Sequence, residues 1–422
     1  MERILEFGYG SGIQRVALER ENLLGILLPN PVDAADDEED EIQRAISGPI
    51  GCPLLRNIVK PNEKIVIVTS DITRPCPTHL IMPFLLDELY AAGVKPHDIT
   101  LVFALGSHRK HTEQEKMKLA GARAYSEIRC IDSDGNDFIF FGKTPLGTPV
   151  DIVRTVAEAD RRICLGNIEY HYFAGYSGGA KAIMPGVSTR AAIQANHAHM
   201  TSRDACAGKI KGNPVREDIE AAAKIVGVDF IVNVVLDEHK RIIKAVAGDV
   251  TAAHRAGCAF LDSLYLKHIP CRADIVLVSQ GGFPKDLNLY QTQKALDNAK
   301  HAVRKGGIII LIGRCDEGMG EATFEDWMIN SHSPQDLIDR IRTDFKLGGH
   351  KAAAIAMVLH DADIYLVSDM DSSFVQNIHL KPYQQVQAAY ADACTRLGRN
   401  ATVIAMPYGG STLPRVYNEQ FD

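Results

Sequence analysis

Lys64-Ile65-Val66-Ile67-Val68-Thr69 carries five consecutive β-branched residues, followed by a polar, proline-broken loop over residues 71–77 and a periodic, helix-like stretch over 78–92. A strand that is apolar at successive positions buries both of its faces. That is the mark of a central parallel strand covered by helices rather than of a half-solvated hairpin. The same unit returns along the chain. Ile99-Thr100-Leu101-Val102-Phe103-Ala104 leads into Gly106-Ser107-His108-Arg109 and a helix from about Thr112. Arg162-Ile163-Cys164-Leu165 opens a long loop through Gly179. Asp274-Ile275-Val276-Leu277-Val278 precedes Gly281-Gly282, and Ile308-Ile309-Ile310-Leu311 precedes Gly313-Arg314. Strands alternating with helices in this way predict an α/β fold with parallel sheets.

Residues 230–246 break the pattern and read as two strands around Asp237-Glu238-His239-Lys240, a hairpin. A helix over 251–266 follows, and Pro270 ends it. A domain boundary is expected there, giving an N-terminal α/β domain over 1–268 and a C-terminal one over 269–422. The expected architecture is two lobes, each a largely parallel sheet flanked by helices, with the active site in the cleft between them. A chain of 422 residues suits two domains, each with its own core.

Bulk composition narrows the function. Hydrophobic residues make up 46% and charged residues 23%, as in an ordinary globular protein. Lys+Arg 46 against Asp+Glu 53 leaves a net charge of −7 without a concentrated basic face, which argues against a nucleic-acid partner. The one acidic run, Asp36-Asp37-Glu38-Glu39-Asp40-Glu41, reads as a solvated loop or helix start. The nine cysteines form no C-x-x-C pair, so reduced structural thiols in a cytoplasm are expected. The start of the chain has no secretory character, and no apolar stretch reaches the ~18 residues that span a bilayer.

The chemically versatile residues cluster just after strand ends, where open parallel sheets bind ligands. Asp71-Ile72-Thr73-Arg74-Pro75 offers free N–H groups, a hydroxyl and a guanidinium to an anion; the plain alternative is an ordinary helix cap. His108 stands at the end of another strand, where a lone histidine is more often structural or merely exposed. The richest stretch runs from Asn167 through Glu169-Tyr170-His171-Tyr172-Phe173-Ala174-Gly175-Tyr176-Ser177-Gly178-Gly179-Ala180-Lys181 to Gly186. It fails the nucleotide-triphosphatase pattern because Ala182, not a hydroxyl residue, follows the lysine. A Gly-rich backbone able to approach an anion remains, ending in a lysine that is either a phosphate partner or a nucleophile for covalent cofactor attachment. Asn196-His197-Ala198-His199 follows a helical stretch, where two histidines two apart face away from each other. One imidazole alone holds a transition metal weakly, so further donors would come from a cofactor. Tyr290-Gln291-Thr292-Gln293-Lys294 opens a helix with Gln291 and Lys294 on one face, the plain alternative being a solvated helix exterior. Asp316-Glu317-Gly318 and Gly409-Gly410-Ser411-Thr412 are strand-end loops without assignable chemistry.

Taken in order, these motifs resemble the nickel-pincer-nucleotide-dependent lactate racemase family, within the 2-hydroxy-acid racemases and epimerases, over most of the chain. The strongest carrier is the stretch from His171 to Gly186, with His171 ten residues before Lys181 and His197 sixteen after it. The resemblance implies that Lys181 carries the nickel-pincer nucleotide covalently, as a thioamide, and that His197 is the remaining nickel ligand. Asp71, Thr73, Ser177 and Gly178 would lie around the nucleotide. His108 and His171 would be the acid/base pair, and Arg74, Tyr290, Gln291 and Lys294 would bind the substrate. It also implies maturation proteins that load the cofactor.

The chemistry accounts for that inventory. The C–H bond beside an ionised carboxylate is weakly acidic, and removing its hydrogen as hydride avoids a carbanion. Two histidines suit the two antipodes, which present their hydroxyls to different bases. Two other readings use parts of the same set. A metal-assisted hydrolase would need carboxylate–histidine ligand spacings that are not seen. A non-catalytic nucleotide-binding or maturation protein would leave three histidines without a role.

Overall fold

Ile65–Ser70 is a strand buried from Ile65 through Thr69, as its two-faced apolar run predicts. It comes from a computed structural model, which describes residues 2–32, 37–106, 108–133, 137–237 and 239–417. Asp36 of the acidic run, Ser107 of the histidine loop and Glu238 of the hairpin turn lie outside the described residues.

The chain divides into two units, one of Pro31–Ser263 and one combining Met1–Asn30 with Leu264–Asp422. The central sheet of the first has six strands in the order Ile242–Gly248, Phe230–Leu236, Arg161–Asn167, Ile65–Ser70, Ile99–Ala104 and Arg129–Asp132. All its neighbours pair in parallel except the Phe230–Leu236 and Ile242–Gly248 edge, which is the expected hairpin. The helices Glu38–Ser47 and Thr78–Ala91 pack Ile42, Ile46, Ile81, Leu85 and Leu89 against Ile65, Ile67, Leu101 and Val232 in one apolar core. The helix Glu113–Ala120 starts where the sequence signals it, with Thr112 and Glu115 closing a capping box.

The sheet of the second unit is wholly parallel, in the order Lys381–Tyr383, Ala362–Val367, Val303–Ile312, Ala273–Ser279, Val403–Met406 and Leu23–Ile26. Its last strand takes the first thirty residues out of the N-terminal domain expected over 1–268, while the unit boundary at Ser263/Leu264 lies close to the expected cut. Leu23–Ile26 pairs with Val403–Met406, and the preceding hairpin Glu2–Tyr9/Gly12–Glu19 packs Leu5, Phe7, Val16 and Leu18 onto that unit's core. The first thirty residues therefore belong with the C-terminal part of the chain. A short edge strand whose partner lies nearly a chain length away leaves no local trace of that pairing. All nine cysteines are free thiols, and no described helix is long and apolar enough to cross a membrane.

Candidate active site

In the first unit the chain starts at Ile65–Ser70, winds outward through Ile99–Ala104 to Arg129–Asp132, then returns to lay Arg161–Asn167 on the opposite side of Ile65–Ser70. The strand order thus reverses between Ile65–Ser70 and Arg161–Asn167. The loops beyond the carboxyl ends of these two strands diverge and leave a crevice. One loop is the 71–77 turn with Asp71, Thr73 and Arg74; the other is the Gly-rich stretch from Ile168 to Lys181. His108 follows the neighbouring strand Ile99–Ala104. Topology alone brings together the candidates from three separate stretches of the first unit.

Asp71 is almost fully buried, with 3% of its surface exposed. Its Oδ1 accepts the Thr73 N–H at 2.7 Å and the Thr73 hydroxyl at 2.6 Å, and its Oδ2 pairs with His108 Nδ1. Burial pushes the carboxyl up, but the hydrogen bonds from His108 and Thr73 outweigh it and hold Asp71 below the usual carboxylate range. His111, which the sequence reading passed over, locks the same turn. Its Nε2 accepts the Ile72 N–H at 3.0 Å while its Nδ1 pairs with Asp132 at 2.7 Å. Arg74 is exposed, and its guanidinium has no hydrogen bond or ion pair among the described residues.

The Gly-rich stretch is a small hairpin, Tyr170–His171 against Gly175–Tyr176, followed by a 3₁₀ turn at Gly179–Ala182 that carries Lys181. Buried polar groups brace it from below. Ser177 donates its hydroxyl to the Asn167 carbonyl at 2.7 Å and accepts the Glu169 N–H at 2.8 Å. Asn233, on the strand Phe230–Leu236, accepts the Gly179 N–H at 2.7 Å. His254 bonds the Ser177 carbonyl at 2.8 Å. Gly178 and Gly179 adopt φ of 72° and 57°, and a Cβ on Gly179 would stand 2.8 Å from the His254 ring. The fully buried Arg216 reaches up from the helix Pro214–Val226, its Nε to the Ala174 carbonyl at 3.1 Å and an Nη to the Tyr176 carbonyl. Asn213, capping that helix, donates to the Phe173 carbonyl at 2.9 Å.

Burial and then the positive charges of Arg74 and Arg216 hold Lys181 well below the usual lysine range, with Glu169 opposing them. His171 is likewise held well below the ordinary imidazole range, by burial first and then by Lys181, Arg74 and His197. Its Nδ1 accepts the Ala174 N–H at 3.3 Å, and its ring meets Phe173 edge-on. Phe173 in turn meets the buried ring of His197 at 4.9 Å. His197 sits on the helix Arg190–Ala198, which Asn196 fastens by a 2.8 Å bond to the buried Asp218. The neighbouring His199 caps this helix. Among the described residues, no three or more His, Cys, Asp or Glu side chains form a metal-holding group. A metal beside His197 would take its other donors from a bound group.

Tyr290, Gln291 and Lys294 lie in the other unit, on the helix Leu289–Ala299, with Lys294 exposed and Gln291 half-buried. This helix is fastened where that unit's strand order reverses, between Ala273–Ser279 and Val403–Met406. Gln280 donates to the Gln291 carbonyl at 3.1 Å, and Asn298 to the Gly409 carbonyl at 2.8 Å. The Gly409-Gly410 loop, without assignable chemistry in the sequence, is an anchor for the helix. Tyr290 stacks edge-on against Phe324. His111, Asp132, Arg216, Asn233 and His254 are the residues that sequence reasoning missed. Asn233 alone carried a usable signal, a polar side chain inside a run apolar on both faces.

Residues 9–208 match the lactate racemase N-terminal domain, and residues 269–413 match the lactate racemase C-terminal domain. The lactate racemase of Thermoanaerobacterium thermosaccharolyticum is 31% identical over 97% of this chain and 99% of its own length. That of Lactiplantibacillus plantarum is 32% identical over 88% of this chain and 90% of its own. Among solved structures, the lactate racemase apoprotein from T. thermosaccharolyticum superposes with a TM-score of 0.85 at 31% identity, covering 98% of this chain and 100% of that one. A Thermotoga maritima protein shares the fold, with a TM-score of 0.61 at 19% identity over 90% of this chain and 98% of its own. Matched in both domains and aligned with these relatives over nearly its whole length, the chain belongs to the lactate racemase family.

Proposed function

We propose that this protein interconverts the two antipodes of a 2-hydroxy acid, lactate or a close relative, with a nickel-pincer nucleotide carried on Lys181. The observation that carries the reading is the convergence of two histidines, an exposed arginine and a lysine of depressed basicity at one strand-order reversal. A hydrolase or a simple nucleotide binder has no use for that whole set.

The residues fit such a group. Only an uncharged amine forms a covalent bond to a carbonyl or thiocarbonyl carbon, and burial with two nearby arginines favours that form of Lys181. His197 would give the protein's one ligand to nickel, with the remaining donors coming from the nucleotide's ring carbon and sulfur arms. Asp71 and Thr73 at the turn, with Ser177 and Gly178 in the glycine loop, would border the mononucleotide. Ser177 would serve by shaping the loop, since its hydroxyl already joins Asn167 and Glu169. When bound, the group supplies the acceptor that takes the C2 hydrogen as hydride and returns it to either face.

The rest falls to this chain's own side chains. Arg74 would grip the carboxylate. Tyr290, Gln291 and Lys294 would bind the substrate from the other unit. One of His108 and His171 would take the hydroxyl proton as the substrate becomes a planar 2-oxo acid. The other, entering the cycle in its protonated form, would give that proton to the new hydroxyl after the acid turns over. A histidine held neutral at neutral pH, as His171 is, begins ready to accept. Loading of the nucleotide is assigned to separate maturation proteins.

The test is a panel of optically pure 2-hydroxy acids given to protein from a host that makes the nucleotide, watched for loss of optical rotation. Intact mass should show an adduct that Lys181→Ala removes, and His197→Ala should lose nickel. His108→Ala and His171→Ala should each stop racemisation while the adduct survives. Robust racemisation by metal-free, unmodified protein would overturn the reading.

A further inference from the structure

We propose that Asp71 is a positioning residue that holds His108 in the tautomer protonated at Nδ1, which leaves Nε2 as the atom that exchanges the substrate's proton. The last clause rests on the racemase reading; the positioning itself does not.

An ionised carboxylate only accepts hydrogen bonds, so the hydrogen in the Asp71–His108 contact belongs to Nδ1. Both carboxylate oxygens are engaged. Oδ1 takes both the N–H and the hydroxyl of Thr73, and Oδ2 takes His108. With Nδ1 turned inward, Nε2 lies on the opposite edge of a side chain that keeps 23% of its surface open. A buried carboxylate behind an imidazole fixes the tautomer and ring orientation and supports the imidazolium that forms when the outer nitrogen takes a proton.

The turn that carries Asp71 is itself held by the loop that carries His108. His111, three residues on, accepts the Ile72 N–H, while Asp132 receives both the ring Nδ1 and the backbone N–H of His111. His111 and Asp132 are both buried. The His108 backbone N–H is tied to the Leu105 carbonyl at 2.8 Å. Two contacts between successive strand-end loops, one on each side of the Asp71–Ile72 peptide, leave Asp71 little freedom to turn towards a ligand.

His171 is built differently. Its Nδ1 meets a backbone N–H, and no carboxylate bonds it among the described residues. The two acid/base candidates are therefore inequivalent, and Asp71 acts on one of them.

The experiment reads the apoprotein first. With ¹⁵N-labelled histidine, and His108 assigned by the signals lost in His108→Gln, wild-type protein above the histidine titration should show a protonated Nδ1 and a bare Nε2. In Asp71→Asn the amide can present N–H to Nδ1, and the Nε2-protonated form should appear. In cofactor-loaded protein the same substitution should lower kcat on the order of 10²-fold while KM stays within a few-fold and the mass adduct remains. An Nε2-protonated His108 in the wild-type apoprotein overturns the proposal without needing any variant to fold. So does an Asp71→Asn protein that keeps the wild-type tautomer, and so does loss of the adduct in that variant with the tautomer unchanged. If the tautomer behaves as expected but no hydroxy acid is racemised, the positioning role stands and the racemase reading fails.

Discussion

Arg216→Met removes the charge beneath the lysine loop while keeping most of the side chain's volume. Arg216 is fully buried and makes charge-assisted bonds to the carbonyls of Ala174 and Tyr176, close before Ser177. Bonds to a charged donor are each worth about 1.5–3 kcal/mol, and both carbonyls would be left buried without this partner. Against that stands the relief of no longer burying a guanidinium, a cost of several kcal/mol that Glu220, 3.8 Å away, only partly offsets. One Nη has no hydrogen-bond partner among the described residues, so the charge is imperfectly satisfied already. The balance predicts a net loss of about 2–3 kcal/mol. A unit the size of Pro31–Ser263 moves by about 2–4 °C per kcal/mol, so its melting should fall by roughly 4–12 °C.

The same substitution has a second readout that stability alone would not move. Arg216 is one of the two cations that depress Lys181, after burial. Without it, the pH at which an amine-reactive reagent labels Lys181 in the apoprotein should rise. Peptide mapping after timed labelling across a pH series measures this directly. Unchanged melting together with an unchanged labelling pH would refute the assignment of Arg216 as the prop of this loop.

Gly179→Ala forces a side chain to a φ of 57° and to 2.8 Å from the His254 ring, so it should cost about 1–3 kcal/mol by thermal melting. Gly227→Ala, also at positive φ but facing open space, should cost less. His254 is held well below the ordinary histidine range, by burial first and then by Arg216. Below about pH 6.5 the unfolded chain takes up a proton that the folded one refuses, so stability falls as pH falls and is flat above that range. His254→Gln should reduce that slope by up to about 1.4 kcal/mol per pH unit, and denaturation midpoints across pH 4.5 to 8 measure it. Lys294 is exposed, so Lys294→Ala should raise KM for the hydroxy acid on the order of tenfold and leave kcat nearly unchanged, read from initial rates.

The sheets were legible because strands buried on both faces must be apolar at every position, and such runs stand out at any place in the chain. Ile65–Ser70, Ile99–Ala104 and Ala273–Ser279 all read this way, and the hairpin after Phe230 showed itself by its paired runs about a polar turn. Leu23–Ile26 did not. It has four residues with a glycine among them, it lies at a sheet edge, and its partner is Val403–Met406. The site divides in the same manner. Most candidate residues are polar groups in loops just after strands, a visible pattern. The groups that brace them are single polar residues whose partners come from elsewhere: His111 with Asp132, Arg216 with Ala174 and Tyr176, His254 with Ser177. No period in the chain joins them.

This division has a physical cause that reaches the chemistry. A loop able to approach a ligand closely needs glycines, and glycines give it neither side-chain packing nor a preferred backbone. Its shape must then come from the layer beneath, where each N–H and carbonyl withdrawn from water needs a partner. Asn233, Arg216 and His254 fill that need for Gly179, Tyr176 and Ser177. Two of the three also bear on the field around the loop. Arg216 brings a buried positive charge under an already desolvated lysine and histidine, and His254 stays neutral beside it. The brace that fixes where Lys181 and His171 stand therefore also favours their uncharged forms. An arginine replaced by a neutral donor could keep the loop's shape and still leave the lysine a worse nucleophile.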